Sequence, residues 1–173
     1  MTVQSRKTTL VLGGARSGKS RHAEHLAIAS GLAPVYVATA QALDGEMAQR
    51  IAAHRARRGR AWRTIEEPLD LVGVLQRECA PERIVLVDCL TLWLSNLMVA
   101  GRDVLAESAR LVDALPGLAG PVLMVSNEVG QGVVPDNAMA RQFVDHAGFL
   151  HQGIAERADA VVFMTAGLPH RLK

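Results

Sequence analysis

Residues 13–20 constrain the fold of this chain more than any other segment. They read Gly13-Gly14-Ala15-Arg16-Ser17-Gly18-Lys19-Ser20, which matches the pattern G-x-x-x-x-G-K-[ST]. A short apolar run at 8–12 precedes the segment, and a helical pattern at 19–30 follows it. In this setting the glycines let backbone N–H groups wrap phosphate oxygens, and the dipole of the following helix favours anions. The alternative is a glycine-rich turn that matches the pattern by chance.

Short apolar runs alternate with helical patterns along the rest of the chain. The runs lie at 8–12, 35–38, 84–87, 122–126 and 160–164, and the helical patterns at 19–30, 46–58, 69–79, 91–99, 104–114 and 137–157. The runs are apolar on both faces, as in strands that are buried between two layers of helices. In the last helical pattern, apolar residues recur at steps of three or four: Met139, Phe143, Ala147, Leu150 and Ile154.

This alternation predicts an α/β fold with a mainly parallel central sheet and helices on both faces. With the glycine-rich loop it predicts a P-loop NTPase-type, RecA-like architecture. No linker is long enough to divide the chain, so we expect a single domain over 1–173. The stretch 100–120 carries no motif, and we expect a surface helix with its loops there.

Composition and charge exclude several classes of protein. The chain has 19 Lys and Arg against 17 Asp and Glu, and its six aromatic residues are two Trp, one Tyr and three Phe. Such a balance argues against a nucleic-acid partner. No apolar run reaches the roughly 18 residues of a transmembrane segment, and the polar start is not a secretory signal. The chain has two cysteines, Cys79 and Cys89, which we expect to be free thiols in a reducing cytoplasm.

Two residues next to the loop predict a metal-dependent nucleotide site. Lys19 is placed to reach the β and γ phosphates of a triphosphate, and Ser20 to hold Mg²⁺. A second acid is expected at the end of another buried strand, and Asp88 follows the run 84–87. The alternative for Asp88 is an N-cap of the apolar helix that begins near Thr91.

His54 lies in a strongly basic helical pattern. Arg50, Arg57 and Arg58 stand four residues before it and three and four residues after it, so one helix face can carry all four. Positive charge attracts phosphates and opposes protonation of the imidazole, which leaves a lone pair for attack on phosphorus. Periodicity and charge alone favour the alternative, a solvated basic face with a bystander histidine.

Other residues carry weaker signals. The chain has only three lysines, Lys7, Lys19 and Lys173. This small number argues against a nucleotide bound covalently to a lysine. The remaining histidines show no metal-ligand spacing and are expected to be packed or surface residues: His22, His25, His146, His151 and His170. Trp62 follows the basic helix, and we expect core packing for it rather than a cover over a base.

Several segments together resemble one family, the bifunctional adenosylcobinamide kinase / adenosylcobinamide-phosphate guanylyltransferases of cobalamin biosynthesis. The segments that carry the resemblance are the loop 13–20 with Arg21-His22-Ala23-Glu24, Tyr36-Val37-Ala38-Thr39-Ala40, Asp44-Gly45-Glu46-Met47 with Arg50-Ile51 and His54, Trp62-Arg63-Thr64 with Glu66, Val87-Asp88-Cys89-Leu90-Thr91, Ser126-Asn127-Glu128-Val129-Gly130 and Ala166-Gly167-Leu168-Pro169. The resemblance runs from about residue 10 to the end of the chain.

The resemblance implies a two-step enzyme. ATP or GTP phosphorylates the aminopropanol hydroxyl of adenosylcobinamide. GMP from GTP then passes through a histidine, which falls on His54, to adenosylcobinamide phosphate, and pyrophosphate leaves. The family's nucleotide contacts fall on residues 13–20 and on Ala38, Thr39, Ala40, Arg55, Ala56, Arg57, Arg58, Glu66 and Asp88. The resemblance also implies a trimer, and it turns His54 from a minority reading into the expected nucleophile.

Two other functions remain as alternatives. One is a single-activity P-loop kinase for another small hydroxyl substrate, in which His54 is structural. The other is a nucleotide-dependent switch or DNA-associated ATPase module, against which the near-neutral charge and the scarcity of aromatic residues argue.

Overall fold

The described residues of this computed structural model are 7–41 and 45–173, apart from the side chains at 46, 47, 50, 54 and 57. They form a central sheet flanked by helices. The strands are β1 (Thr8–Gly13), β2 (Ala33–Ala38), β3 (Arg63–Glu66), β4 (Arg83–Asp88), β5 (Val122–Asn127), β6 (Ala160–Thr165) and β7 (Leu168–Arg171). The helices are α1 (Lys19–Ala29), α2 (Gly45–Arg58), α3 (Leu71–Glu78), α4 (Leu90–Val99), α5 (Val104–Ala114) and α6 (Ala138–Arg157).

The sheet is parallel except at one edge. Its strand order is β3-β2-β4-β5-β1-β6-β7, and only the β6–β7 pair is antiparallel among the described strands. The predicted parallel sheet is therefore confirmed. The register pairs Gly13 with Asn127 and Ala38 with Asp88, so β1 and β5 end side by side, and so do β2 and β4. Asp88 of β4 pairs with Val125 of β5, two residues before the end of that strand.

The two faces of the sheet are covered unequally. One face packs against α3, α4, α5 and α6 through a large cluster that includes Leu75, Trp93, Leu111 and Leu150. The other face packs against Ala23 and Ala27 of α1 in a smaller cluster. The prediction of helices on both faces is confirmed, and the thinner cover by α1 leaves part of the second face open near the strand ends.

The structure differs from the sequence prediction at the sheet edges. Neither β3 nor β7 was predicted, because β7 is exposed throughout and β3 is exposed at both ends. Edge strands of this kind lack the apolar run that marks a buried strand. The expected surface helix with its loops at 100–120 is present as α5, which buries Val104, Ser108 and Leu111 against the core and leaves its other residues exposed or half-buried.

The long helix α6 has the predicted stripe apart from its first turn. Asn137 caps the helix by accepting a hydrogen bond from the Ala140 N–H, and Ala147, Leu150 and Ile154 are buried. Met139 is 72% exposed, because the first turn extends beyond the packed region. No helix in the described ranges is long and apolar enough to span a bilayer.

A buried polar pair links α6 to β5. The Nε2 atom of His151 and the Oγ atom of Ser126 share a hydrogen bond of 2.6 Å, and both residues are buried. Burial lowers the pKa of the His151 imidazole, although the Glu128 carboxylate acts in the opposite direction. His151 is therefore a packed residue, as the sequence predicted, and it is neutral in the folded protein near pH 7.

This buried histidine predicts a pH dependence of stability. The unfolded chain protonates His151 near its ordinary pKa of about 6.5, while the folded chain does so only at lower pH. The unfolded state thus binds more protons in that window. The contribution of neutral His151 to the free energy of unfolding should be fully present above about pH 6.5. It should decrease as the pH drops toward the lower pKa of the folded state.

Urea denaturation at several pH values measures this dependence in the protein and in His151→Gln. Burial also lowers the pKa of His22, with His25 adding to the effect, and this contribution cancels when the two curves are subtracted. Equal pH slopes for both proteins would contradict the assignment to His151.

Candidate functional site

The segment 13–20 forms a tight loop between β1 and α1. A Cβ atom on Gly13 would lie 2.5 Å from Ser17 Oγ and 2.9 Å from the Met164 carbonyl oxygen, so only glycine fits there. Gly18 precedes α1 with a φ of 93°, in the left-handed region. The Lys19 ammonium donates to the Gly14 carbonyl at 3.0 Å. The strand–loop–helix unit predicted from the sequence is therefore present.

The turn between β6 and β7 contacts the backbone of this loop at Ser17 and Gly18. The Gly167 N–H donates to the Ser17 carbonyl at 2.9 Å. A Cβ atom on Gly18 would lie 3.3 Å from the Gly167 Cα atom. The backbone of the loop thus rests directly on the backbone of the turn, which restricts movement of the loop.

A cavity of about 230 Å³ lies beside the loop, at the carboxyl ends of the strands. We refer to it as the strand-edge cavity. Eight residues singled out in the sequence line it: Lys19, Ser20, Ala38, Ala40, Arg55, Arg58, Glu66 and Asp88. Loop, strand ends and basic helix therefore share one cavity, as expected for the carboxyl edge of an open parallel sheet.

The other expected site residues either do not line the strand-edge cavity or have side chains that the structure does not describe. Those absent from the lining of this cavity are Gly13, Gly14, Ala15, Arg16, Ser17, Gly18, Thr39 and Ala56. The side chains of His54 and Arg57 lie outside the described residues. The backbone at both positions belongs to α2.

Asp88 ends β4 and faces the strand-edge cavity. Its Oδ2 atom accepts a hydrogen bond of 3.1 Å from the Tyr36 hydroxyl. The N-cap position of α4 belongs to Cys89, so the alternative reading of Asp88 as a helix cap was wrong. Burial raises the pKa of Tyr36 far above its usual range, with the Asp88 charge adding to the shift, so the hydroxyl remains a donor.

Arg58 reaches the strand-edge cavity from the end of α2. The side chain is only 4% exposed, and its guanidinium carbon lies 3.3 Å from the centroid of the Tyr36 ring. Within the described part of the chain, its Nε and Nη1 atoms have no hydrogen-bond partner. The nearest described carboxylate oxygen in an ion pair with it, Glu24 Oε1, lies 3.9 Å from Nη1. Buried N–H groups are costly unless an acceptor meets them.

Thr39 is engaged in the protein interior. Its Oγ1 atom donates to the Cys89 carbonyl at 2.7 Å and accepts from the Cys89 N–H at 2.9 Å. Its own carbonyl accepts a hydrogen bond of 2.7 Å from the Asn96 amide. The residue is fully buried. These bonds join the end of β2 to the start of α4 and thereby hold Ala38 and Ala40 at the wall of the cavity.

The cavity also contains residues that sequence reasoning did not select as site residues: Tyr36, Ile51, Thr64, Cys89, Leu92 and Asn127. The Asn127 amide donates to Thr91 Oγ1 at 2.8 Å. Its position at the end of a predicted strand was the available signal, because the ends of parallel strands share one edge.

The two cysteines are free thiols, as predicted. Burial raises the pKa of Cys79 to about 12. Burial also raises the pKa of Cys89, and the Asp88 charge adds to this shift. A protonated thiol is a poor nucleophile, so Cys89 is a wall residue of the cavity rather than a reactive group.

The donor set suits a hard divalent cation. Ser20 and Asp88 both line the strand-edge cavity, and Mg²⁺ binds oxygen ligands, with one or two carboxylates plus water and substrate phosphates. No cluster of three or more His, Cys, Asp or Glu residues that could hold a metal occurs among the residues searched. A metal here would therefore complete its coordination with substrate oxygens.

The fold and the cavity together define a P-loop NTPase-type protein. A solved ATPase of the type III secretion system of pathogenic bacteria aligns with 95% of this chain and 56% of its own, at 9% identity and a TM-score of 0.55. Another solved ATPase domain covers 91% of this chain and 69% of its own, at 16% identity and a TM-score of 0.52. These similarities concern the fold alone.

Sequence comparison identifies the family. The model for "Cobinamide kinase / cobinamide phosphate guanyltransferase" matches residues 9–172, and the chain belongs to this family. The bifunctional adenosylcobalamin biosynthesis protein CobP of Pseudomonas aeruginosa is 56% identical, over 95% of this chain and 96% of that protein. The bifunctional adenosylcobalamin biosynthesis protein CobU of Escherichia coli is 38% identical, over 95% and 98%. The resemblance noted in the sequence is thereby confirmed.

The bonds of Thr39 predict a structural role that mutation can isolate. Thr39→Val removes the hydroxyl and leaves the buried Cys89 N–H without its acceptor, while the Cys89 carbonyl keeps the hydrogen bond from the Trp93 N–H. We expect the free energy of unfolding to fall by about 1–3 kcal/mol. Thr39→Ser keeps the hydroxyl and should lose much less. Urea denaturation measures both, and equal losses in the two variants would contradict the assignment.

Proposed function

We propose that this chain phosphorylates adenosylcobinamide and then transfers GMP from GTP to adenosylcobinamide phosphate, with both steps in the strand-edge cavity. Family membership supports the two activities. One observation supports a shared site: Lys19 and Ser20 of the loop and Arg55 and Arg58 of α2 line the same cavity. A single triphosphate can therefore meet both groups of residues.

In the first step the loop and Lys19 would bind the β and γ phosphates of ATP or GTP. The loop backbone and the N-terminus of α1 orient the triphosphate, and the Lys19 charge offsets the negative charge of the transferred group. An oxygen of the aminopropanol hydroxyl attacks the γ-phosphorus, and the bond to the nucleoside diphosphate breaks. The nucleotide contacts inferred for residues 13–20, Ala38, Ala40, Glu66 and Asp88 belong to this proposal.

In the second step His54 would act as the nucleophile. Its nitrogen attacks the α-phosphorus of GTP, a P–N bond forms, and the bond to pyrophosphate breaks. A phosphate oxygen of adenosylcobinamide phosphate then attacks the same phosphorus, and the P–N bond breaks. The product is adenosylcobinamide-GDP, and the imidazole is restored.

Two features support His54 in this role. In the sequence it stands three residues after Ile51 and four before Arg58, and both of these neighbours line the cavity. Arg55 and Arg58 bring positive charge to that wall and would stabilise the departing pyrophosphate. The buried Nε and Nη1 atoms of Arg58, which have no hydrogen-bond acceptor within the described ranges, suit such an anion.

A divalent cation fits this scheme. Ser20 and Asp88 would hold Mg²⁺, which when bound supplies charge neutralisation for the phosphate oxygens. A cytoplasmic location and a trimer also remain proposals, and sedimentation equilibrium of the purified protein tests the trimer.

Covalent labelling tests the second step. The protein is incubated with GTP labelled at the α-phosphate and then denatured. We expect an acid-labile, alkali-stable label, which His54→Ala should abolish while phosphorylation of adenosylcobinamide persists. His170→Ala, which removes an exposed histidine of β7, serves as the matched control. Wild-type protein that turns over without any label would leave a single-activity kinase, and loss of both activities in His54→Ala would indicate a structural histidine.

Substitution of Lys19 tests the shared site. Because both steps need the same triphosphate held in place, Lys19→Ala should lower both rates by about 10²–10³-fold. Lys7→Ala removes an exposed lysine and should leave both rates unchanged. Initial rates of phosphorylation and of GMP transfer provide the measurement. A loss confined to phosphorylation would show that the steps use separate nucleotide sites.

A further inference from the structure

We propose that Tyr36 is a positioning residue of the strand-edge cavity, which holds Arg58 with its ring and Asp88 with its hydroxyl. The inference rests on the proposed function, because it takes this cavity as the nucleotide site. It assigns to a buried aromatic residue the alignment of two charged groups that belong to different elements, the end of α2 and the end of β4.

The ring of Tyr36 is the close partner of Arg58. The guanidinium carbon stands 3.3 Å from the ring centroid. The carboxylate of Glu24 lies farther away, with its Oε1 atom 3.9 Å from Arg58 Nη1, beyond hydrogen-bond distance. A guanidinium over an aromatic face is attracted by the ring quadrupole, and more strongly when water is excluded. The stack therefore holds Arg58, while its Nε and Nη1 atoms have no hydrogen-bond acceptor among the residues that the structure describes.

The hydroxyl of Tyr36 makes the second contact. The sheet register pairs Tyr36 with Leu86 and Ala38 with Asp88, so Tyr36 and Asp88 are diagonal neighbours on one face of the sheet. The hydroxyl donates to Asp88 Oδ2. This bond restrains the rotation of the carboxylate and engages only one of its two oxygens, on a residue that lines the cavity.

The Tyr36 ring is itself held in place. The Tyr36 and Trp62 rings form a T-shaped pair with a centroid distance of 6.1 Å and an interplanar angle of 82°, a favourable geometry for two aromatic rings. Tyr36 is 5% exposed. Ring plane and hydroxyl are thus oriented before any ligand arrives, so that little ordering remains to be done on binding.

This contact attaches the end of α2 to the sheet through described side chains. Among its described side chains, only Ile51 and Arg58 are not exposed, and both line the cavity. The stack of Arg58 on Tyr36 therefore ties the end of α2 to the sheet. Because the same tyrosine holds Asp88, the position of the helix and that of the carboxylate are joined through one side chain.

Binding of an uncleavable nucleotide measures the two contacts separately. The probe is a GTP analogue with a methylene bridge between the α and β phosphorus atoms, and calorimetry gives its Kd with Mg²⁺ and with EDTA. Tyr36→Leu removes both contacts and should raise the Kd in EDTA by about 3- to 30-fold, the range of a cation–π contact. Tyr36→Phe keeps the ring and should bind like wild type in EDTA.

The role of the hydroxyl should show in how strongly nucleotide binding depends on the Mg²⁺ concentration. Hydrogen bonds to metal-binding carboxylates are worth roughly 10–100-fold in metal affinity. Tyr36→Phe should therefore need a higher Mg²⁺ concentration, by about 10-fold or more, to gain the affinity that wild type gains. An unchanged Mg²⁺ requirement would overturn the role of the hydroxyl.

A double-mutant cycle tests whether the ring acts through Arg58. If it does, the variant Tyr36→Leu with Arg58→Ala should bind in EDTA no more weakly than Arg58→Ala alone. Leu123→Ala, which truncates a buried residue in the same apolar cluster, controls for general loss of packing. It should lower the melting temperature and leave the Kd unchanged.

The outcomes separate this inference from the proposed function. Additive losses in the cycle, or Tyr36 variants that bind like wild type in both conditions, would overturn the inference while the function stands. Should Tyr36→Leu fail to fold, the metal dependence of Tyr36→Phe decides. Failure of the wild-type protein to bind the analogue would overturn the proposed function and this inference with it.

Discussion

The hydrogen-bond register of the parallel strands is the constraint on which the candidate site depends. Pairing of β1 with β5 places Gly13 beside Asn127, and pairing of β2 with β4 places Ala38 beside Asp88. Side chains alternate between the faces of a sheet, so a slip of one residue would move each of them to the opposite face. The cavity lies where these strands end, and the last residues of three of them, Ala38, Asp88 and Asn127, line it.

Unequal cover of the sheet provides the room for this cavity. Four helices fill one face, whereas α1 alone contributes the fully buried helical residues of the other cluster. Tyr36 and Ala38 belong to that second face, at the point where α1 no longer covers the strands. The end of α2 meets this gap through Arg58. Among the described side chains of α2, only Ile51 and Arg58 are not exposed, and both line the cavity.

The sequence allowed prediction wherever the determining forces are local. The segment 13–20 combines glycines, a lysine and a serine in an order that is typical of a phosphate-binding loop. The five buried strands appear in the sequence as apolar runs. The edge strands β3 and β7 could not be predicted, because β7 is exposed throughout and β3 at both ends, and pairing within the sheet keeps them extended. Thr39 shows a further limit: a small polar residue in a site segment turned out to be enclosed by hydrogen bonds to Cys89 and Asn96.

By itself, the sequence determined the chemistry present: a glycine loop with Lys19, an acid after a buried strand, and an arginine-rich helix around His54. Those features can be read from the identity of residues that lie close together in the sequence. Only the tertiary structure decided which of these groups meet. Tyr36 lies 52 residues from Asp88 along the chain, and strand pairing and a shared core bring such groups together, because contacts at that separation depend on the packing of the whole sheet.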